Sequence, residues 1–220
     1  MARVVIFANG AVADADRVRG LVAPSDSILC ADGGTRHALE LGLHPDMVIG
    51  DLDSMTGEDR EAVENAGVEI KAYPRDKNET DLELAVREAL RREASRIMIV
   101  GALGRRLDHT FGNIAMLADP ALAELDVRLD DGLEEVRLCR AEMLLTGNAG
   151  DIVSLLPWGG DVQGVRTEGL QWPLRDETLH ADKTRGISNE MLGPTARVRI
   201  AGGLLLIVHR RQSQAENRAT

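Results

Sequence analysis

Met47-Val48-Ile49-Gly50-Asp51-Leu52-Asp53-Ser54 is the stretch on which the reading of this chain turns. Its first three residues form an apolar run that reads as a buried strand, and the run passes straight into two carboxylates two residues apart. Residues two apart share a face of an extended chain, so Asp51 and Asp53 are expected to point the same way at a strand's carboxyl end. Two ionised carboxylates that close repel each other unless a cation lies between them or one takes a proton. Paired oxygens suit Mg²⁺, which takes a few carboxylates together with the phosphates of a substrate. A solvated Asp- and Ser-rich turn is the plain alternative, and the octapeptide alone leaves the two readings evenly matched.

Outward from this stretch, apolar runs alternate with helix-period segments up to about Pro120. Val4–Ala8, Ser27–Ala31, Met47–Ile49, Val68–Ala72 and Arg96–Val100 read as strands, with helices expected near 14–22, 34–42, 57–66, 80–93 and 108–118. In the segment 80–93, Leu82, Ala85, Val86, Ala89 and Leu90 fall on one helical stripe, and Thr80-Asp81-Leu82-Glu83 matches a capping box at its start. Such alternation implies a largely parallel sheet with helices on its faces, and ligands of such sheets bind beyond the carboxyl ends of the strands. Asn9-Gly10, Asp32-Gly33-Gly34, Gly50-Asp51 and Gly101 to Gly104 all fall there. The two glycines after Asp32 allow close backbone approach or positive φ. After roughly residue 124 the helical period gives way to short apolar runs, Val127–Leu129, Val136–Leu138 and Ile152–Leu156 among them, separated by turn residues. Arg197–Ile200 and Leu204–Val208, joined through Gly202-Gly203, look like a terminal hairpin. The expected organisation is an α/β domain over 1–123, an antiparallel β-sandwich over 124–211 and a polar tail over 212–220.

Composition bounds the function. The chain has 220 residues, 44% of them hydrophobic, as in an ordinary globular protein. A formal charge of −10 argues against a broad nucleic-acid or acidic-membrane surface, although local Arg and Lys or bound metal can still accommodate a phosphate in one cleft. No apolar stretch approaches the roughly 20 residues of a membrane span, and the N-terminus lacks a signal-peptide layout. Cys30 and Cys139 lack metal-ligand spacing. A cytoplasmic protein with neither nucleic-acid nor membrane partners is expected.

Asp32, Asp81 and Asp108 each have a local explanation: a turn, the positive end of a helix dipole, an N-cap. Their coincidence with Asp51 and Asp53 at one rim of the sheet calls for a common one, and divalent metal with polyphosphate supplies it. Lys77, Arg105 and Arg106 stand nearby to neutralise phosphate oxygens, and His109 is a weaker proton-transfer candidate. Neither a Gly-x-x-x-x-Gly-Lys-Ser/Thr loop nor a Gly-x-Gly-x-x-Gly after the first strand is present.

Taken together these residues resemble the thiamine pyrophosphokinase family. The resemblance rests on Asp32-Gly33-Gly34, Gly50 to Ser54, Lys77 to Ala85, Gly101 to Asn113, Thr167 to Leu174 and Gly186 to Glu190, in the family's order along nearly the whole chain. It implies pyrophosphoryl transfer from ATP to the hydroxyethyl group of thiamine, giving thiamine diphosphate and AMP. It also implies an N-terminal domain holding Mg²⁺ and ATP, a C-terminal domain binding thiamine, and a homodimer with active sites at its interface. Carried onto this chain, Asp51, Asp53 and Asp81 would hold Mg²⁺, with Asp51, Thr80, Asp81 and Asp108 catalytic and Asp81 or Asp108 accepting the hydroxyl proton. Asp32, Gly33, Lys77, Arg105, Arg106 and His109 would bind ATP. Ser188, Asn189 and Trp172 would bind thiamine. Two positions depart from the family: Asn78 replaces a frequent acid, and Arg105 follows Gly104 where paired glycines are common. A phosphatase with an Asp-x-Asp nucleophile fits less well, because that pair usually follows the first strand and continues to Thr or Val. A nucleotide-sensing module has little need of five convergent carboxylates.

Overall fold

The computed structural model describes residues 3–212, which divide into two compact units, the first ending at Gly132 and the second beginning at Leu133. The polar tail expected from 212 onward lies, beyond its first residue, outside the described residues.

In the first unit six strands, β1 (Arg3–Phe7), β2 (Ser27–Ala31), β3 (Met47–Gly50), β4 (Glu69–Ala72), β5 (Arg96–Val100) and β6 (Asp126–Asp130), pair in the order β6-β5-β1-β2-β3-β4, every pair parallel. Five helices connect them: α1 (Ala15–Leu21), α2 (Thr35–Glu40), α3 (Gly57–Asn65), α4 (Asp81–Arg91) and α5 (Leu107–Met116). β1, β2, β3 and β5 are buried apolar runs after their first residues because both of their faces are covered. Val5, Phe7, Cys30, Val48, Met98 and Val100 share one core with Val18, Ala38, Leu41 and Val63 of the helices, while α4 packs against β1, β2 and β3. The strand at Val127–Leu129, read from sequence as part of the β half, belongs here as β6, in parallel register with β5. Its two apolar residues, Val127 and Leu129, are too little to declare which sheet will take them.

The capping box at α4 forms as expected: Glu83 N–H donates to Thr80 Oγ1 (3.2 Å), and Thr80 N–H donates to a Glu83 carboxylate oxygen (2.7 Å). On the same helix the buried Glu88 carboxylate accepts from Arg91, Arg92 and Lys71 of β4. Led by Arg91 and against the cost of burial, these partners bring the Glu88 pKa down to about 2.

The second unit is wholly antiparallel. Its elements are β7 (Glu134–Cys139), β8 (Glu142–Thr146), β9 (Ile152–Pro157), β10 (Val162–Glu168), β11 (Arg175–Leu179), β12 (Asn189–Glu190), β13 (Thr195–Arg199) and β14 (Leu205–Arg210). One layer runs β12-β9-β14-β7 and the other β11-β10-β13-β8. Both contribute to one core, with Val153, Leu155, Leu205 and Ile207 from the first layer and Leu145, Val165, Leu179 and Val198 from the second. The terminal hairpin does not form. β13 pairs with β8 and β10, whereas β14 pairs with β7 and β9, so the Gly202-Gly203 connection crosses between layers. Each strand already has two neighbours and no free edge to offer the other. The crossing is fixed by Ala201 N–H to Gln163 O (2.9 Å), Gln163 N–H to Gly202 O (3.0 Å) and Trp158 N–H to Leu204 O (2.9 Å).

Two glycines test this packing in opposite directions. A Cβ on Gly34 would lie 2.1 Å from the Phe7 carbonyl oxygen, whereas one on Gly112, inside α5, would meet nothing within 4 Å. Gly34→Ala should lower stability by about 1–3 kcal/mol or more through overpacking. Gly112→Ala should raise it by roughly 0.5–1 kcal/mol through helix propensity. Chemical denaturation of both variants measures the contrast, and equal effects would contradict it.

Candidate active site

Strand order in the first unit reverses between β1 and β5, and in open α/β sheets that reversal opens a crevice at the carboxyl ends. A cleft of about 450 Å³ lies there. Its walls are the segment after β1 (Asn9, Gly10), the one after β5 (Gly101 to Arg106) and the loop before α4 (Lys77 to Asp81), with Asp32 and Ser54 beneath.

The acids converge by a route the period-two reading does not contain. β3 ends at Gly50, and Leu52 takes a φ of +65°. Residues 51–53 are therefore a turn, in which Asp53 N–H donates to Asp51 Oδ1 (3.1 Å). Asp32 joins them: one carboxylate oxygen from each of Asp32, Asp51 and Asp53 lies within 4.8 Å of the others. Asp32 itself, and neither glycine after it, adopts a left-handed φ of +44°. Gly34 and Gly50 serve close approach instead. A Cβ on Gly50, whose φ is +150°, would meet Asp32 Cβ at 2.9 Å and Asp81 Cγ at 3.0 Å.

Asp32 is 5% exposed. Ser54 N–H donates to its Oδ2 (3.2 Å), while the buried Oδ1 accepts no hydrogen bond among the described residues. Burial pushes its pKa up, Ser54 opposes this, and the Asp81 and Asp51 charges push further upward. An orphaned buried carboxylate oxygen beside two more carboxylates is a donor set that suits a hard divalent cation.

Asp81, expected as a third metal ligand, is not part of that three-oxygen group; its Oδ1 lies 3.0 Å from Lys77 Nζ, which also lies 3.7 Å from Asp51. Burial works against the Lys77 charge, but the Asp81 contact and the Asp81, Asp51 and Asp32 charges outweigh it and hold its pKa above the ordinary lysine value. Thr80 lines the cleft while its oxygen caps α4, which leaves its hydroxyl hydrogen for a ligand. Asp108 is not with the other acids. It sits one residue inside α5, bonded to Arg106, and lines an adjoining recess with Thr80, Glu83, His109 and Asn113. Arg106 and the His109 amide hold its pKa below the usual carboxylate range.

Of the basic candidates, Lys77 and Arg106 are thus paired with acids, and His109 lines both spaces. Arg105 differs. At a left-handed φ of +57°, its Nη1 donates to Asn9 O and Asn9 Oδ1, both at 3.0 Å, and both neutral acceptors. Arg75, whose Nε is 3.5 Å from Asp53, is a cleft residue the sequence did not point to, while Asn9 and Ser54 stand in segments it placed at the rim without giving them a role. For Asn9 the signal was its place after the first strand. Ser188, Asn189 and Trp172 belong to the second unit. Ser188 is exposed, with a φ of +60°, and its N–H donates to Ser154 Oγ (3.1 Å). The Asn189 side chain is buried and bonded to the backbone of Trp172, whose ring is largely exposed.

An all-parallel α/β unit with an acid-rimmed cleft at its switch point, in one chain with a β-sandwich, is the layout of a two-domain enzyme that handles a phosphate-bearing substrate. Comparison with known proteins makes this specific. Residues 18–129 match the model of the thiamin pyrophosphokinase catalytic domain, and residues 142–205 that of the thiamin pyrophosphokinase vitamin B1 binding domain. The chain belongs to the thiamin pyrophosphokinase family. It is 29% identical over 179 residues to the thiamine pyrophosphokinase of Bacillus subtilis, covering 80% of this chain and 84% of that one. The crystal structure of thiamine pyrophosphokinase from Bacillus subtilis superposes with a TM-score of 0.85 at 25% identity, covering 96% of this chain and all 100% of the other. That of thiamin pyrophosphokinase from Geobacillus thermodenitrificans gives 0.84 at 25% identity, with 97% and 99% covered.

Asp32 gives a direct test of the electrostatics. Its folded pKa is raised, so its carboxylate weakens the fold once pH rises above its unfolded value. Asn fits the site and tolerates left-handed φ. Asp32→Asn should raise the melting temperature at neutral pH by about 2–4 °C, which for a chain of this size is roughly 1 kcal/mol. The gain should vanish at acidic pH, where the parent carboxyl is protonated. A melting temperature at pH 7.5 equal to or below that of the parent would contradict it.

Proposed function

We propose that this chain transfers the pyrophosphoryl group of ATP to thiamine, yielding thiamine diphosphate and AMP. The observation that carries the reading is the set of three carboxylates with oxygens within 4.8 Å of one another just after β2 and β3, one of which, Asp32, lines the switch-point cleft, inside the segment matched by the family's catalytic domain. Asp32, Asp51 and Asp53 are the residues to hold Mg²⁺. That ion, when bound, neutralises charge on the phosphoryl oxygens of the nucleotide.

The chain's own residues do the remaining work. Arg105 and Lys77 offer N–H donors to the polyphosphate, and Thr80 adds a hydroxyl hydrogen. The thiamine hydroxyl oxygen forms a bond to the β-phosphorus, the bond from that phosphorus to the oxygen retained by AMP breaks, and the hydroxyl proton passes to a carboxylate. Asp81 is the better supported base. It lines the cleft itself, bonded to Lys77, whereas Asp108 lines only the adjoining recess, bonded to Arg106. Trp172, with Ser188, is the proposed face for thiamine, whose cationic ring suits an exposed indole. A homodimer with active sites between copies, a cytoplasmic location and no nucleic-acid partner complete the proposal. A charge of −10 supports the last of these. Among the described residues no helix is long and apolar enough to cross a membrane.

Incubation with ATP, Mg²⁺ and thiamine should release AMP and thiamine diphosphate in equal amounts, and chelation of the metal should stop it. Asp51→Asn and Asp53→Asn should each cut turnover by about 10²-fold or more, the scale of losing charge stabilisation in the transition state, with folding retained by circular dichroism. Near-parental AMP release from both variants would overturn the reading.

Arg105→Ala should raise KM for ATP by about tenfold, the loss of one charge-assisted contact, and leave KM for thiamine unchanged. An unaltered KM for ATP would remove Arg105 from the nucleotide site.

A further inference from the structure

Sequence and resemblance place Asn189 among the thiamine contacts, yet its side chain is committed to another part of the protein. Its Oδ1 accepts from Trp172 N–H (3.0 Å) and Glu190 N–H (2.9 Å), and its Nδ2 donates to Trp172 O (2.7 Å). An amide side chain offers two donors and one acceptor oxygen with two lone pairs. Asn189 has therefore filled its oxygen and keeps a single N–H, on a residue only 5% exposed. Trp172, with both backbone polar groups taken by one side chain, is 52% exposed.

The rest of the loop between β10 and β11 is tied down in the same way. Thr167 N–H donates to Leu174 O (3.1 Å), and Leu174 N–H donates to the buried Thr167 Oγ1 (2.8 Å). Gln171 N–H reaches Glu190 O, and Leu192 N–H reaches Gly169 O, both at 2.9 Å. Pro173 further restricts the backbone of the residue before it. A six-residue surface loop held this closely has lost its freedom to collapse its one large aromatic onto the core. Exposing an indole forgoes the burial that a Trp ordinarily gains, so the bonds from Asn189 maintain an arrangement the hydrophobic effect opposes.

We propose that Asn189 is a positioning residue: it acts through the backbone of Trp172 to hold the indole ring outward as a rigid platform for a cationic heteroaromatic acceptor. Trp172, and not Asn189, touches that acceptor. The proposal rests on the thiamine reading above, and its test separates the two. Preorganisation of this kind strengthens binding by removing the ordering cost from the binding step.

The chain has two tryptophans, so Trp158→Phe leaves Trp172 as the sole indole emitter. In that background Asn189→Ala should lower the fluorescence anisotropy of Trp172 and change its acrylamide quenching. In steady-state kinetics Asn189→Ala should raise KM for thiamine by about tenfold, the scale of a lost hydrogen-bonded anchor, with KM for ATP unchanged. Trp172→Ala should raise it at least as much. The double variant Asn189→Ala/Trp172→Ala should match Trp172→Ala alone within about twofold, because a residue acting through Trp172 has nothing left to position. Effects that multiply would show an independent contact and overturn the proposal, as would unchanged Trp172 emission in Asn189→Ala. Should the alanine variant fail to fold, Asn189→Asp keeps both acceptor bonds and turns the bond to Trp172 O into a repulsion between two oxygens. It should show intermediate anisotropy and KM, and values equal to those of the parent would count against the proposal. Absence of thiamine turnover in the parent enzyme would overturn the substrate reading alone, since the emission of Trp172 reports positioning without turnover.

Discussion

The mutual repulsion of carboxylates brought to one end of a parallel sheet is the constraint to which the rest of the first unit answers. At an effective dielectric of 20, two unit charges 4 Å apart interact by about 4 kcal/mol, a sizeable part of the roughly 5–15 kcal/mol by which a domain is stable. Asp32, Asp51 and Asp53 hold oxygens within 4.8 Å of one another, and Asp81 packs against the same glycine as Asp32. The sheet can carry this load because β1, β2, β3 and β5 are buried on both faces, which leaves the carboxyl ends free to be built from turns. Gly50 supplies the approach. Lys77 supplies part of the counter-charge, and its own pKa rises in response. Asp32 keeps an unbonded buried oxygen and a raised pKa. The arrangement is poor for stability and well suited to a cation, which is the usual relation between an active site and its scaffold.

The cations of the cleft answer the same constraint. Arg75 faces Asp53, Lys77 faces Asp51 and Asp81, and Arg106 faces Asp108. These pairs balance charge within the protein, so an incoming polyphosphate has to compete for them. Among the described residues Arg105 is held only by the carbonyl and amide oxygens of Asn9. Neutral acceptors orient a guanidinium without cancelling its charge. The left-handed backbone of Arg105 costs of order 1 kcal/mol, and such strain persists where surrounding structure gains by it. Here the strain holds a guanidinium with no carboxylate partner among the described residues on the wall of the cleft.

Much of the architecture was legible in the sequence because periodicity is a local property of the chain. The apolar runs gave β1, β2, β3 and β5, the stripe through Leu82, Ala85 and Ala89 gave α4, and Thr80 with Glu83 announced its cap. What failed depended on partners that a run of residues does not name. β6 has only two apolar residues, Val127 and Leu129, and its sheet is chosen by an edge of β5 still open to it. The supposed hairpin at Gly202-Gly203 has the right turn chemistry, but each flanking strand is claimed on both sides by others. Within the site the acids were legible as a set and their geometry was not. Asp51 and Asp53 meet through a turn at Leu52, and Asp32, read beside two glycines, itself carries the left-handed φ. Asp108 looked equivalent to the others in sequence because nothing there reveals that Arg106, two residues back, has taken its charge.

The two units solve different physical problems, and this explains why their residues differ in legibility. A cleft lined by charge shows in the sequence, because acids gathered at several strand ends call for a common explanation beyond their separate local ones. An aromatic platform is made of rigidity, which comes from satisfied hydrogen bonds and leaves no compositional mark. Asn189 has the residue type of a ligand and the burial of a structural amide. Only its three bonds, two of them to one tryptophan, distinguish the roles. Removing a buried amide with that pattern would free a loop whose bonds hold its indole in solvent against the pull of the hydrophobic effect. The position of the ring is therefore a property of Asn189 as much as of Trp172, and a motif that joins the two along the chain records a dependence between them, which need not be two separate contacts with one substrate.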